Sequence, residues 1–272
     1  GEAYVFRLHE HLERLLRSMR LVRLATRWSI GELTDAILRL LRENECREDT
    51  YIQPVAYRAA GPKTLSGFSE ESGLYIVTRP MPSHLLTGRI VRAKVSSWRR
   101  ISDEVMPPRV KNISNYRNGQ LAAMEAQLDG YDQAILLNQQ GKVAEAPGAC
   151  VMLVRNGKLV TPDVTQSILE SITRDALLRL AREELGLQVE ERAVDRTELY
   201  VAEEVFLCGT AYEITPIGEI DHYQIGDGQP GPVTRALERL YHDIARGIDP
   251  RRPEWRTPVG LAERATVSGA GN

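Results

Sequence analysis

Apolar residues recur at helical spacing in RLHEHLERLLRSMRL, where Leu8, Leu12, Leu15, Leu16 and Met19 share a face, and this predicts an amphipathic helix behind a strand-like AYVF. A second such helix is expected in IGELTDAILRLLRENE, with Ser29 placed to cap it. TYIQPVAYRAAG, GLYIVTRP and RIVRAKVSSWRR then read as strands, rich in β-branched and aromatic residues. Two helices and several strands within residues 1–100 imply a small α+β domain. The polar, aperiodic RRISDEVMPPRV makes 101–110 the expected crossing into a larger domain, 111–272.

In that larger region NGQLAAMEAQLDGY predicts a helix running to Gly130. Three short strands in QAILLNQQGKVAEAPGACVMLVRNGKLVTP predict an antiparallel meander turning at QQGK and RNGK, the second an Asn-Gly hairpin signal. A longer helix is expected from Ser171 to Gly186, with Leu177, Leu180, Ala181 and Leu185 on one face. VEERAV reads as a strand, EEVFLCGTAYEITPIGEID as strand, turn and strand, and GPVTRALERLYHDIARG as a last helix. The tail after Asp249, rich in proline and polar residues, is expected on the surface.

Composition narrows the class. With 42% apolar and 26% charged residues the chain is an ordinary globular one, and its net charge of -2 gives no electrostatic case for nucleic acid or an acidic membrane surface. No run of about 18 apolar residues is present, and the polar opening GEAYVFRLHEH is not the core of a signal peptide. Cys46, Cys150 and Cys208 form no CxxC pair and no metal-ligand spacing, so free thiols, a cytoplasmic setting and no metal are expected. Only five of the 35 basic residues are lysines, which shortens the roster of nucleophilic amines and brings forward Lys111 in PPRVKNISNY.

Taken singly, the candidate chemistry is ambiguous. Thr173 in SITRDA stands where a helix start either caps or binds an anion. Gly209, Thr210 and Ala211 form a small-residue turn that is either a tight hairpin or a close approach to a ligand. Arg14 is either a snorkelling surface residue or an anion binder, and Glu145, taken by itself, reads as a solvated carboxylate at a strand end.

The joint order of Lys111, Tyr116, Glu145, SITRDA and CGTAYEITP, with FRLHEHLERL, TYIQP and IGDGQPGPVT, resembles the branched-chain amino-acid aminotransferases, pyridoxal-phosphate enzymes of fold type IV. The resemblance runs from Val5 to about Gly247. It implies a two-domain α/β and α+β fold with pyridoxal 5'-phosphate in the cleft, and a homodimer. It implies that Lys111 forms the Schiff base, that Tyr116 bonds the cofactor's phenolic oxygen, and that Glu145 pairs with the ring nitrogen. Arg14, Ile172, Thr173 and Thr210 would hold the phosphate, and Leu169 would pack on the ring. Tyr51 with the backbone of Thr210 and Ala211 would bind the substrate carboxylate, and Gly148 would lie beside the amine. The reaction implied moves an amino group between a branched-chain or related apolar amino acid and a 2-keto acid.

The chain departs from the family pattern at the substrate end. Gln53 replaces a common arginine, Tyr212 a small residue, and Ala149 and Cys150 a glutamate and an asparagine. These changes keep open an amine or D-amino-acid transaminase, or a lyase, on the same fold. The chain also begins at Gly1, without the segment that usually precedes FRLHEHLERL in the family.

Overall fold

The computed structural model describes residues 2–60 and 71–261; Gly61 of the second predicted strand and the tail beyond 261 lie outside them. In chain order the elements are β1 (Tyr4–Phe6), α1 (Leu8–Leu21), α2 (Ile30–Glu43), β2 (Thr50–Ala60), β3 (Glu71–Pro80), β4 (Val91–Arg99), α3 (Ile113–Leu128), β5 (Gln133–Leu137), β6 (Cys150–Arg155) and β7 (Lys158–Thr161). There follow α4 (Ile172–Arg179), β8 (Val189–Glu191), α5 (Arg196–Tyr200), β9 (Glu204–Gly209), β10 (Glu213–Ile220), β11 (Tyr223–Gln224), α6 (Pro232–Ala245) and β12 (Arg256–Pro258). None of the described helices is long and apolar enough to cross a membrane.

The two N-terminal helices form as their apolar spacing requires. Ser29 closes a capping box on α2, its hydroxyl accepting from the Glu32 N–H while the Glu32 carboxylate accepts from the Ser29 N–H, worth about 1 kcal/mol. Leu8, Leu12, Leu33, Ile37 and Leu41 pack with Ile52, Leu74 and Ile76 of the β2–β3 hairpin. Side chains alternate along a strand, so Tyr51 and Gln53, with Val77 and Arg79 opposite them, project from the other face of that hairpin.

The larger body is one sheet in the order β5-β4-β10-β9-β6-β7-β8, with β11 on β10. Here β4 departs from the sequence-based division at residue 100. It pairs in parallel with both β10 and β5 because Val91, Ala93 and Val95 are buried with Ile217 and Ile220 in the core of that sheet. The expected meander also divides. β6 and β7 form the predicted hairpin, with positive φ at Asn156 and Gly157, whereas β5 lies at the opposite edge of the sheet. The second face of the sheet is covered by α4 and α6, with Leu177, Leu180, Leu237 and Ile244 on Met152 and Phe206.

Three boundaries differ. The helix expected from Asn118 begins five residues earlier, because Asn112 caps it by accepting from the Ser114 N–H. The helix expected to Gly186 is α-helical only to Arg179 and ends in a π-helical turn, Leu180–Glu184. Only Val189–Glu191 of VEERAV is strand. The tail corrects the surface expectation up to residue 261: β12 pairs antiparallel with β1, and Trp255 is 2% exposed.

Candidate active site

Lys111 sits immediately before the N-cap of α3, at the end of a turn that Asn115 ties down. The Asn115 amide donates to the carbonyls of Pro107 and Val110 at 3.1 and 2.9 Å. The Lys111 N–H donates to Ser18 Oγ of α1 at 3.3 Å, joining this turn to the small layer. Five residues on, at the end of the first turn of α3, Tyr116 presents its hydroxyl to Lys111 Nζ at 3.1 Å. A primary amine is thereby held on a rigid helix start, exposed to a cleft.

Across the cleft stands Glu145, 5% exposed and therefore not a solvated strand end. It lies at the base of a tight turn closed by the Ala146 N–H on the Ala149 carbonyl. Arg100 Nη2 donates to one carboxylate oxygen at 2.7 Å and the Leu169 N–H to the other at 3.0 Å. Burial pushes the Glu145 carboxyl above the usual carboxylate range, and Arg100 and the Leu169 N–H oppose that shift.

The third wall is cationic. Arg14, 6% exposed, donates to the Glu170 carbonyl at 3.2 Å and lies 3.4 Å from His11 Nδ1. Burial and the neighbouring Arg14, Lys111 and Arg7 lower the His11 pKa to about 3, so its ring is neutral. Beside Arg14 is the start of α4, where Ser171 Oγ accepts from the Arg174 N–H and the first backbone N–H groups of the helix precede its internal hydrogen bonds. The turn between β9 and β10 completes the wall. Glu213, at positive φ, anchors it by accepting from Ser83 Oγ and the His84 N–H of the loop after β3.

The cleft brings together Arg14, Lys111, Tyr116, Glu145, Gly148, Leu169 and Thr210. Ser171 lines it as the N-cap of α4, while Ile172 and Thr173, the first two residues of that helix, are buried. Tyr212 and Ala211 lie beside Thr210 in the turn. The Tyr212 ring covers Gly148, where an added Cβ would come within 3.2 Å of it, and its hydroxyl donates to Gln133 at 3.1 Å. Tyr51 is one layer out: burial raises its phenol, with Tyr116 adding to the rise and Arg79 and Arg14 opposing it. Gln53 is exposed, beyond Tyr51 on β2.

Arg100 and His11 are site residues the sequence reading missed. Their only signals are the Arg99-Arg100 pair ending a strand and a histidine three residues before Arg14 on one helix face. Cys150 and Cys208 face each other across β6 and β9, unbonded and buried. Burial pushes the Cys150 thiol up to about 12, which leaves it unreactive. The described residues contain no cluster of three or more His, Cys, Asp or Glu able to hold a metal ion.

The donor set fits a phosphorylated pyridine aldehyde. It offers an amine for the aldehyde, a phenol for the ring hydroxyl, a buried carboxylate for the ring nitrogen, and a guanidinium with a helix start for the phosphate. Gly209 fits the same cradle, since a Cβ there would lie 3.2 Å from the Gly148 carbonyl oxygen.

Residues 2–220 match the amino-transferase class IV family. A probable branched-chain-amino-acid aminotransferase from Aquifex aeolicus is 43% identical over 261 residues, 95% of this chain and 83% of its own. The branched-chain amino acid aminotransferase of Thermobaculum terrenum, solved in its PLP form, superposes with a TM-score of 0.92 at 50% identity, covering 96% of this chain and 85% of that one. The branched-chain aminotransferase of Thermoproteus uzoniensis, solved with norvaline, gives 0.89 at 40% identity, with coverage of 95% and 86%. The chain belongs to the class IV aminotransferases and, within that family, to the branched-chain amino-acid aminotransferases.

Proposed function

We propose that the chain transfers the amino group of a branched-chain amino acid to a 2-keto acid, with Lys111 as the catalytic residue. The observation that carries this reading is Lys111 Nζ on the Tyr116 hydroxyl at 3.1 Å, in the cleft that also holds Glu145. Pyridoxal 5'-phosphate, when bound, supplies the aldehyde that takes the amino group and the ring that accepts the electron pair left by the α proton.

The side chains divide the remaining work. Lys111 Nζ would hold the aldehyde and, as a free amine, would act as the general base at the substrate's α carbon. Tyr116 donates to the ring oxygen, and Glu145 keeps a proton on the ring nitrogen while Arg100 holds the carboxylate in place. Arg14, the α4 start at Ser171 to Thr173, and Thr210 bind the phosphate, and Leu169 packs on the ring. Tyr51 and the backbone of Thr210 and Ala211 take the substrate carboxylate. Gly148 and Tyr212 shape the space beside it.

A homodimer is part of the same proposal. Ile113, Met124 and Leu128 are 70%, 55% and 87% exposed on one stripe of α3 that begins two residues after Lys111. Apolar side chains so open on a helix are suited to burial against a second copy. The facing thiols of Cys150 and Cys208 are consistent with a reducing compartment such as the cytoplasm.

The test is spectroscopic. Protein loaded with pyridoxal 5'-phosphate is expected to show the absorbance band of the lysine-bound cofactor and to lose it on addition of L-leucine. Lys111→Ala is expected to abolish both. A band and a donor response unchanged in Lys111→Ala would overturn the reading.

A further inference from the structure

The exposed face of the β2–β3 hairpin places a cation at the outer edge of the substrate space. Tyr51 and Arg79 are direct cross-strand partners, and the Arg79 guanidinium lies 4.8 Å from the centre of the Tyr51 ring. Tyr51 in turn lies within the electrostatic reach of Arg14 and Tyr116. Tyr51 thus has Tyr116 and Arg14 of the cleft within reach as well as Arg79.

Among the described residues next to Arg79 on this face, none carries another positive charge. Gln53, the next residue on the same side of β2, is neutral, and its cross-strand partner is Val77. Among the described residues no carboxylate forms an ion pair with Arg79, and its guanidinium lies over the ring of Tyr51. The end of the hairpin that carries it is fixed, since the Met81 N–H donates to the Asp49 carbonyl at 2.8 Å and Arg246 pairs with Asp49 at 2.6 Å. A guanidinium resting on an aromatic face keeps its charge and most of its hydrogen-bond donors available.

We infer that Arg79 is a specificity-determining residue, binding the distal carboxylate of a dicarboxylic amino or keto acid. The inference rests on the aminotransferase reading above. One cleft must accept an apolar side chain in one half-reaction and a carboxylate in the other if the two substrates differ in that way. Arg79 meets both demands: it rests on Tyr51 beside an apolar chain and turns to form a bidentate pair with a carboxylate. Recognition then comes from the strand opposite Tyr51, and the neutral Gln53 does not leave the site without a cation.

The experiment uses the cofactor-loaded protein, with Arg79→Ala and Arg79→Lys as variants. Half-reactions with L-glutamate and L-leucine are followed by the cofactor absorbance. Calorimetry measures binding of glutarate and of 4-methylpentanoate, which do not react. In Arg79→Ala, apparent affinity for glutamate and glutarate is expected to fall about tenfold or more, the loss of a charge-assisted contact. Leucine and 4-methylpentanoate are expected to stay within about twofold, and Arg79→Lys to fall between. Equal losses for both classes, or none for either, would overturn the inference while leaving the aminotransferase reading intact. A wild-type protein that shows no lysine-bound cofactor band overturns that reading, and the inference with it.

Discussion

Arg100 and Glu145 form a buried ion pair at 2.7 Å, with side chains 8% and 7% exposed, in the wall of the cleft that holds Lys111. Arg100 also donates to the Asn115 carbonyl at 3.3 Å, so one guanidinium links the carboxylate to the helix that carries Tyr116. Removing one member of such a pair leaves an uncompensated buried charge.

Arg100→Met is therefore expected to cost about 3–5 kcal/mol of stability, read from urea unfolding midpoints. Glu145 then takes up a proton, and the rate of the leucine half-reaction is expected to fall at least about tenfold. Arg100→Lys retains the charge and should recover part of both. A Met variant of wild-type stability and rate would show that Glu145 is held by other groups.

Gly119 is a helix residue packed on the turn that carries Glu145. A Cβ there would lie 2.8 Å from Pro147 Cα. On an exposed helix, glycine to alanine gains about 1 kcal/mol. Here Gly119→Ala is expected to lose about 1–3 kcal/mol and to weaken cofactor binding, because it pushes α3 from the Glu145 turn. Thermal unfolding and cofactor titration measure both, and a stabilised variant would contradict the packing argument.

Tyr212 closes the space beside Gly148. In Tyr212→Ala, kcat/KM for L-phenylalanine relative to L-valine is expected to rise about tenfold, the scale of discrimination set by pocket shape. The same panel, with L-leucine, D-alanine and a simple chiral amine, reads donor stereochemistry directly. An unchanged ratio would place Tyr212 outside the substrate space.

His11 gives a pH dependence with a defined sign. Its folded pKa, about 3, lies below the usual 6.5, so between these values the unfolded chain holds a proton that the folded chain does not. Its contribution is full above pH 6.5 and declines as pH falls toward 3, by about 1 kcal/mol per pH unit. His11→Gln should lose that part of the slope when denaturant midpoints are compared at pH 7, 6 and 5. Identical slopes would mean that His11 titrates normally.

Trp255 ties the segment before β12 to Phe6 and Arg7. It meets the Phe6 ring edge-to-face at 5.8 Å, lies under the Arg7 guanidinium at 5.0 Å, and its carbonyl accepts from the Arg7 N–H at 2.6 Å. Trp255→Ala is expected to cost about 3–5 kcal/mol, seen in calorimetric unfolding. A loss below about 1 kcal/mol would return this segment to the surface role its composition suggests.

The sequence alone determined what local chemistry and motif order can carry. Apolar spacing located α1, α2 and α6, the Asn-Gly pair set the β6–β7 hairpin, and Ser29 marked a helix start. The order of Lys111, Tyr116, Glu145, SITRDA and CGTAYEITP pointed to the family. The N-terminal half of α3 was not legible in this way, because it buries Asn115 and Gly119 rather than a periodic apolar face.

Only the tertiary structure decided which distant residues meet. Strand pairing moved β4 into the large sheet, put Arg79 across from Tyr51 and brought β12 to β1. Burial set Arg100 on Glu145 and Arg14 on the Glu170 carbonyl. Such contacts depend on pairing register and on desolvation, which no local pattern encodes. Motif order therefore identified Lys111, while the residues around it took their roles from packing.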